Sequence, residues 1–209
     1  MPHTNTATLF ANAAAALTFT WASAAAHAQL YAREAPPNSA FIHIFNATPV
    51  AGVNAQIGDK SQPPLLPYTA SAFIFVPPGE FVVQAGSHKQ SFTLEGNHYY
   101  TVASTADGLH LFDFHEPLTG LKATIAFFNL VPGATLALKT ADGTTAVFDA
   151  VAPNTSTQRS INPLKVNLAL FNGDRKIADV PPVELERGRS FSLFAGGSLA
   201  VPILVWNKD

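Results

Sequence analysis

The segment Phe112-Asp113-Phe114-His115-Glu116 is the densest group of ionisable side chains in the chain. Alternate side chains of a β-strand share one face, so Asp113 and His115 would lie side by side on a strand. A carboxylate beside an imidazole can orient it as a general base. The outer face of a strand that becomes polar near a domain boundary gives the same pattern, and we favour that interpretation. No serine lies in a Gly-x-Ser-x-Gly sequence, and no catalytic residue is predicted.

Histidine spacing gives little support for a metal site. The chain has seven histidines, at His3, His27, His43, His88, His98, His110 and His115. No two of them are spaced i,i+2 or i,i+4, the spacings that place two zinc ligands on one strand or helix face. Neighbouring strands could still gather His88, His98 and His110, but scattered positions facing solvent are the favoured interpretation. No metal or cofactor is predicted.

Exposed aromatic rings would indicate a sugar-binding surface, because such rings stack on pyranose faces. The candidates are Tyr31, Tyr68, Tyr99, Tyr100 and Trp206. Tyr99 and Tyr100 are adjacent, so one of them must face outward if they lie on a strand. We retain Tyr31, Tyr99 and Tyr100 as candidate surface contacts. The interpretation that we favour is that both rings of the Tyr99–Tyr100 pair lie between a sheet and a covering loop.

The first 28 residues have the pattern of a secretory signal peptide. They contain no Asp, Glu, Lys or Arg, and an apolar region ends in the triplet Ala26-His27-Ala28. Small residues around a central position are typical of the cleavage site. We therefore predict cleavage between Ala28 and Gln29. The n-region lacks Lys and Arg, so an uncleaved membrane anchor remains an alternative.

Charge and cysteine content exclude several classes of function. The formal net charge is −2 and 12% of residues are charged, which is not the basic footprint of a nucleic-acid-binding protein. The chain has no cysteine, so it has neither disulfides nor thiolate metal ligands. Its stability must come from packed apolar cores.

Short apolar runs separated by Pro, Gly, Asn and Asp predict an all-β fold. Runs of this kind every 8–12 residues are typical of antiparallel sandwiches and barrels. The predicted strands span residues 39–46, 53–58, 71–76, 80–87, 90–95, 98–105, 108–114, 122–129, 134–140, 144–150, 157–161, 165–171, 174–179, 183–186, 189–195 and 201–206.

Internal matches predict that a small β-domain occurs twice. An aromatic residue followed by asparagine ends an apolar run at Phe45-Asn46 and again at Phe128-Asn129, 83 residues later. We expect the aromatic ring to plug the end of a buried strand, and the asparagine to turn the chain, because its short amide can bond the local backbone and tolerates the left-handed region. Gly96 and Gly188 end a second pair of similar segments.

These observations predict two tandem antiparallel β-sandwich domains after a signal peptide at residues 1–28. The domains span residues 29–117 and 118–209, because Pro117 and Gly120 interrupt strand pairing between them. A linker this short should leave the two domains in contact.

The start of the mature chain resembles a known family. Leu30-Tyr31, Ala35-Pro36-Pro37-Asn38-Ser39-Ala40-Phe41-Ile42 and Ile44-Phe45-Asn46-Ala47 are similar to the opening of the alginate biosynthesis protein AlgF family. The resemblance extends over the chain, because the signal peptide, the length, the absence of cysteine and the two-part β-rich layout are also similar. Related accessory proteins occur in cellulose acetylation, and the sequence does not separate the two polymers.

The resemblance implies a non-catalytic periplasmic adaptor for O-acetylation of an exopolysaccharide. Its implied partners are periplasmic or membrane-bound polysaccharide O-acetyltransferases, which would perform the chemistry. We expect a monomer that binds no nucleic acid. The alternative is a carbohydrate-binding β-sandwich module that presents the polymer to those enzymes. A hydrolase or acetyl-carrying enzyme that uses Asp113 and His115 is the third and least favoured hypothesis.

Overall fold

The computed structural model describes residues 35–114 and 120–208. Ala28, Gln29, Tyr31, His115 and the predicted boundary between residues 117 and 118 lie outside these ranges. In the first described range the strands are β1 (Ala40–Asn46), β2 (Val53–Ile57), β3 (Lys60–Leu65), β4 (Ile74–Val76), β5 (Gly79–Ala85), β6 (His88–Leu94), β7 (Tyr99–Ser104) and β8 (Leu109–Phe114).

In the second described range the strands are β9 (Ala123–Asn129), β10 (Leu136–Thr140), β11 (Ala146–Val151), β12 (Thr155–Ile161), β13 (Lys165–Val166), β14 (Leu168–Asn172), β15 (Arg175–Asp179), β16 (Val183–Glu184), β17 (Ser190–Gly197) and β18 (Pro202–Lys208). Neither range contains a helix with the length and apolarity that crossing a membrane requires.

The first sandwich is built from β1 to β8. One sheet has the strand order β4-β1-β7-β8 and the other has the order β3-β2-β5-β6. Alternate residues of each strand point between the sheets, so Ile42, Ile44 and Val102 of one sheet meet Ile57 and Val83 of the other in a single core. All five of these side chains are fully buried.

The second sandwich repeats this arrangement with β9 to β18. Its sheets have the orders β12-β9-β17-β18 and β11-β10-β14-β15, and β13 pairs with β16 in a small additional sheet. Ile125, Phe127 and Leu193 pack on Leu138 and Leu170 across the core. The prediction of an all-β chain with two tandem sandwiches is confirmed, and the shared strand order agrees with the internal repeat.

One strand pair in each sandwich is parallel, which differs from the predicted purely antiparallel pairing. β1 pairs in parallel with β7, and β9 pairs in parallel with β17. Parallel partners need a long crossover connection. Here that connection contains the strands of the opposite sheet, so periodic spacing of short strands alone did not reveal it.

Asn46 and Asn129 hold the ends of these central strands. Both are fully buried. The Asn129 amide nitrogen donates to the carbonyls of Ala134 at 2.7 Å and Val151 at 2.8 Å, while Oδ1 accepts from the backbone N–H of Val131 at 3.1 Å. Asn46 makes the equivalent three bonds at 2.8, 3.0 and 3.0 Å.

The asparagine amides bond the local backbone as predicted, but neither residue adopts the left-handed region, because neither has a positive φ. Each side chain bridges three backbone groups at the end of its strand.

Phe45 and Phe128 are buried, but they do not close the ends of their own cores. They project from the outer faces of their sheets and meet between the two sandwiches. Phe194 lies between them, with ring centroids 3.9 Å from Phe45 and 4.4 Å from Phe128. Phe112 and Phe114 approach Phe128 edge-on, both at 5.2 Å. We call these five residues the interdomain aromatic cluster.

Strand β3 lies in a region that the sequence analysis left as a loop. Its sequence includes Pro63 and Pro64, which lack the N–H that a central strand needs. β3 is the outermost strand of its sheet and pairs only with β2. The register of β2 and β3 shifts between Val53–Leu65 and Ala55–Gln62, opposite the two prolines, and proline is tolerated at edge strands and bulges of this kind.

Candidate functional site

A cleft of about 540 Å³ opens where the two sandwiches meet. The parallel pairs β1–β7 and β9–β17 end at the same edge of their sheets, so the loops that follow these four strands converge there. Ala47 and Thr105 line the cleft from the first sandwich, and Leu130 and Gly197 line it from the second. We call it the interdomain cleft.

Thr105, Asp107, His110 and Asn154 form a polar network at the cleft. The Thr105 hydroxyl donates to Asp107 Oδ1 at 2.5 Å. His110 Nε2 lies 3.1 Å from the Thr105 oxygen and 3.4 Å from Asp107 Oδ1. The Asn154 amide donates to Asp107 Oδ2 at 3.3 Å, and this bond joins the second sandwich to the first.

The network favours the ionised form of Asp107. The hydrogen bond from Thr105 is the largest cause that lowers the pKa of this carboxyl. Burial opposes it, and the hydrogen bond from His110 lowers the pKa further. Asp107 is also the only charged side chain among the described residues that line the cleft. The cleft therefore carries a negative charge at neutral pH.

A hydroxyl, an imidazole and a carboxylate meet here, but not as a catalytic triad. In a triad the carboxylate bonds one ring nitrogen and the nucleophile bonds the other. Here the Thr105 and Asp107 oxygens both lie on the Nε2 side of His110. A carboxylate only accepts hydrogen bonds, so Nε2 must carry the proton. In that state it cannot remove a proton from Thr105.

Exposed apolar side chains border the cleft. Val201 lines it and is 65% exposed. Val50 and Leu66 of the first sandwich are 59% and 61% exposed, and they lie one and two residues along the chain from the lining residues Pro49 and Tyr68. Their carbonyls both accept from Asn46 Nδ2, at 2.8 and 3.0 Å, which holds the two segments together. We call these three side chains the apolar rim.

Asp113, which the hydrolase or acetyl-carrier hypothesis paired with His115, pairs with a different histidine. His98 Nδ1 lies 3.0 Å from both Asp113 oxygens, and the Tyr100 hydroxyl lies 3.2 Å from the same nitrogen. Glu95 Oε2 lies 3.8 Å from His98 Nε2. The ring nitrogen that a nucleophile would need therefore faces a second carboxylate. The proposed partner, His115, lies outside the described residues.

The adjacent tyrosines occupy opposite faces of β7, so the favoured interpretation that both rings are covered is wrong for Tyr99. Tyr99 is 45% exposed and stacks on Phe41 at 4.6 Å, whereas Tyr100 is 2% exposed within the first core. Tyr68 lines the interdomain cleft, and the Trp206 indole donates to the Pro181 carbonyl at 2.8 Å. A contact role for Tyr31, Tyr99 or Tyr100 stays a prediction.

His43 does not face solvent, so the prediction that the scattered histidines face solvent is wrong for this residue. It is 1% exposed, stacks on Phe73 at 3.9 Å and places Nε2 2.8 Å from the Thr101 hydroxyl. Among the described residues its Nδ1 has no hydrogen-bond partner of good geometry, although the Ser71 backbone interacts with the ring and opposes the effect of burial on its pKa. Burial lowers the pKa of His43 to about 4, so the ring is neutral near pH 7. Within the described ranges, no three His, Asp or Glu side chains are grouped as metal ligands.

Sequence reasoning missed the polar network of the cleft. Thr105, Asp107 and His110 lie within six residues, and this local spacing was a usable signal. Asn154 is 47 residues from Asp107, and only the packing of the two sandwiches brings them together.

The chain matches the family described as alginate O-acetyl transferase AlgF over residues 14–192. It is 36% identical to the alginate biosynthesis protein AlgF of Pseudomonas syringae pv. tomato over 86% of this chain and 80% of that protein. It is 35% identical to the protein of the same name from Pseudomonas aeruginosa, over 90% of this chain and 87% of that protein. The corresponding values for Azotobacter vinelandii are 36%, 90% and 87%.

Two solved structures are also similar. The C-terminal domain of AlgF from P. aeruginosa is 46% identical, with a TM-score of 0.39, over 43% of this chain and 99% of that domain. The N-terminal domain is 27% identical, with a TM-score of 0.34, over 40% of this chain and all of that domain. Since the family match and the curated relatives extend over most of its length, the chain belongs to the alginate O-acetyl transferase AlgF family.

Proposed function

We propose that this protein is a non-catalytic accessory protein of alginate O-acetylation, which acts in the periplasm by docking to the acetyltransferases that modify the polymer. Membership of the AlgF family supports the pathway. The observation that carries the docking role is the interdomain cleft with its apolar rim, since exposed apolar side chains beside a concave surface are typical of interaction sites. Both sandwiches contribute to this surface.

The non-catalytic part of the proposal rests on the two imidazole–carboxylate pairs. Among the described residues, the Thr105 and Asp107 oxygens both lie on Nε2 of His110, and carboxylates lie at both ring nitrogens of His98. Deletion of the gene should abolish alginate acetylation, whereas a chain with His98→Ala and His110→Ala should restore it. A folded double variant that reaches the periplasm and leaves the polymer unacetylated would count against this part.

Docking is tested by capture from the cell envelope. Tagged protein should recover an alginate O-acetyltransferase, identified by mass spectrometry, from cells that make the polymer. The same tagged chain in the cytoplasm would serve as the control for compartment. Recovery of polymer without any acetyltransferase would contradict the docking role.

A polymer-binding module is the second candidate, and one observation favours it. Tyr99 is 45% exposed and stacks on Phe41, which leaves an aromatic surface on the first sandwich. Titration of the protein with mannuronate oligomers at millimolar concentration, followed by tyrosine fluorescence and calorimetry, separates the two candidates. We expect no binding, and saturable binding that is lost in Tyr99→Ala would favour the second candidate.

A further inference from the structure

Resting on the proposed function, we infer that the interdomain cleft receives a cationic side chain, best matched by lysine, from an apolar segment of the acetyltransferase. The proposal names the chemistry of the partner and the surface that receives it. Three features of the cleft lead to it: its charge, the hydrogen-bonding capacity left on Asp107, and the apolar surface around that carboxylate.

Charge decides the sign of the ligand. Asp107 is the only charged side chain among the described residues lining the cleft, and 66% of its side-chain surface is exposed. Its bonds from Thr105 and Asn154 come from neutral groups, which do not cancel its charge. A partner group with positive charge is complementary to this cleft, and charge complementarity is a main source of specificity in protein association.

Hydrogen bonding favours an ammonium over a guanidinium. Asp107 Oδ1 already meets the Thr105 hydroxyl and His110 Nε2, whereas Oδ2 meets only the Asn154 amide among the residues that the structure describes. Each carboxylate oxygen can accept about two hydrogen bonds. The open capacity is therefore concentrated on Oδ2. A bidentate arginine needs both oxygens, but a lysine ammonium acts as a point charge and needs only one.

Apolar surface decides what accompanies the charge. The cleft volume of about 540 Å³ exceeds the volume of one side chain, and Leu130, Pro132 and Ile203 line the part contributed by the second sandwich. Val201 extends this surface to the rim, where it is 65% exposed. Lysine packs its methylene stem along such surface while its ammonium reaches a polar partner. Apolar residues beside that lysine would cover the rest.

The same features argue against the polymer as the occupant. A polyuronate carries a carboxylate on every sugar, and Asp107 would repel each of them at short range. No cation among the described lining residues compensates for this repulsion. The negatively charged polymer would be repelled by this cleft, whereas a positively charged docking partner would be attracted to it.

The test measures binding of the full mature chain to the purified periplasmic alginate O-acetyltransferase of the same bacterium, by calorimetry at low and at physiological salt. Asp107→Asn keeps the shape of the side chain and removes its charge, so we expect about tenfold weaker binding and a smaller effect of salt. Asp59→Asn, at an exposed turn of the first sandwich, is the matched control and should bind as the wild type does.

A pair of variants at one position tests the sign of the partner's charge. Val201→Lys and Val201→Asp both remove the same apolar contact, but only the lysine repels a cationic partner. We expect Val201→Lys to bind about tenfold more weakly than Val201→Asp. Leu164→Lys, at a position 48% exposed on the second sandwich outside the cleft, is the control for a new surface charge.

Hydrogen exchange of the wild-type chain gives a readout that needs no variant. Bound acetyltransferase should protect the backbone around residues 47–50, 105–107 and 197–201. If the wild type binds, Asp107→Asn binds with the same affinity, and these segments are not protected, then the cleft is not the binding site. The docking function itself would still stand. If Val201→Asp loses as much binding affinity as Val201→Lys, or more, the inference that the partner's side chain is cationic is wrong. If the wild type does not bind at all, the proposed function fails, and this inference fails with it.

Discussion

Phe194→Ala should uncouple the two sandwiches without destroying either of them. Phe194 is fully buried, and its ring lies between Phe45 of the first sandwich and Phe128 of the second. It belongs to the interdomain aromatic cluster and to neither sandwich core. Removing the ring therefore deletes contacts that hold the sandwiches together.

The expected loss follows from the burial of the ring. A buried Phe→Ala substitution costs about 3–5 kcal/mol in transfer and cavity terms. The two stacked contacts, with centroids at 3.9 and 4.4 Å, place Phe194 toward the upper part of that range, because aromatic pairs contribute about 0.5–1.5 kcal/mol beyond their buried area. Phe128 is the register partner of Phe194 on the neighbouring strand of the same sandwich, so the part of this loss that couples the two sandwiches comes from the contact with Phe45.

Differential scanning calorimetry measures the effect, with Phe127→Ala as the matched control. Phe127 is the neighbour of Phe128 and is equally buried, but its ring lies in the second core. We expect one unfolding transition for the wild type and two for Phe194→Ala. Phe127→Ala should lower the stability of the second sandwich with the interface still present. A single transition in Phe194→Ala, lowered as much as in Phe127→Ala, would refute the assignment of Phe194 to the interface.

Three further substitutions test other features. Asn129→Ala removes three hydrogen bonds to the backbone of buried residues, so equilibrium unfolding should show a loss of about 3–5 kcal/mol, and a loss below 1 kcal/mol would contradict the bridging role. Gly197→Ala should cost about 1–3 kcal/mol, because φ is +74° and a Cβ would lie 2.6 Å from the Val201 carbonyl. His43 has a folded pKa of about 4 against 6.5 for the free side chain, so the unfolded chain takes up the proton first as pH falls. Its contribution is complete above pH 6.5, and about 3 kcal/mol is lost toward pH 4. In His43→Phe this part of the pH dependence should disappear, and an unchanged slope would contradict the burial of a neutral ring.

The internal repeat was visible in the sequence because the repeated asparagines have the same structural role in each sandwich. Asn46 and Asn129 make the same three bonds at the ends of equivalent strands, so their type and their spacing of 83 residues are both constrained. The match of Gly96 to Gly188 was one residue out of register. Gly188 has a φ of +66°, and its structural counterpart is Asn97, which has the same value.

That error has a physical reason. Both Gly and Asn tolerate the left-handed region, so a comparison of residue types aligned glycine with glycine. Gly96 is needed for a different purpose, since a Cβ there would lie 2.0 Å from Asn38 Oδ1. Residue identity therefore aligns Gly188 with Gly96, whereas backbone conformation aligns Gly188 with Asn97.

The candidate site was harder to predict than the fold, because its residues meet through strand register and domain packing. Asp113 pairs with His98 since β7 and β8 are adjacent strands whose register places Tyr100 opposite Asp113. The cleft depends on contacts between sandwiches that apolar periodicity cannot supply. Alternation along β1 indicates which residues leave the core, but it does not say that Phe45 will meet another sheet.

The interface and the cleft are parts of one arrangement. A two-sheet sandwich normally leaves its outer faces to water, but here one outer face of each sandwich carries buried phenylalanines and packs on the other. The loops at the ends of the four central strands are thereby fixed relative to one another, so a partner that enters the cleft need not order two independent domains. Preorganisation of this kind lowers the entropic cost of binding. Phe194→Ala should consequently weaken docking to the acetyltransferase, although Phe194 does not line the cleft. Unchanged affinity in a variant shown to be uncoupled would mean that one sandwich alone carries the docking surface.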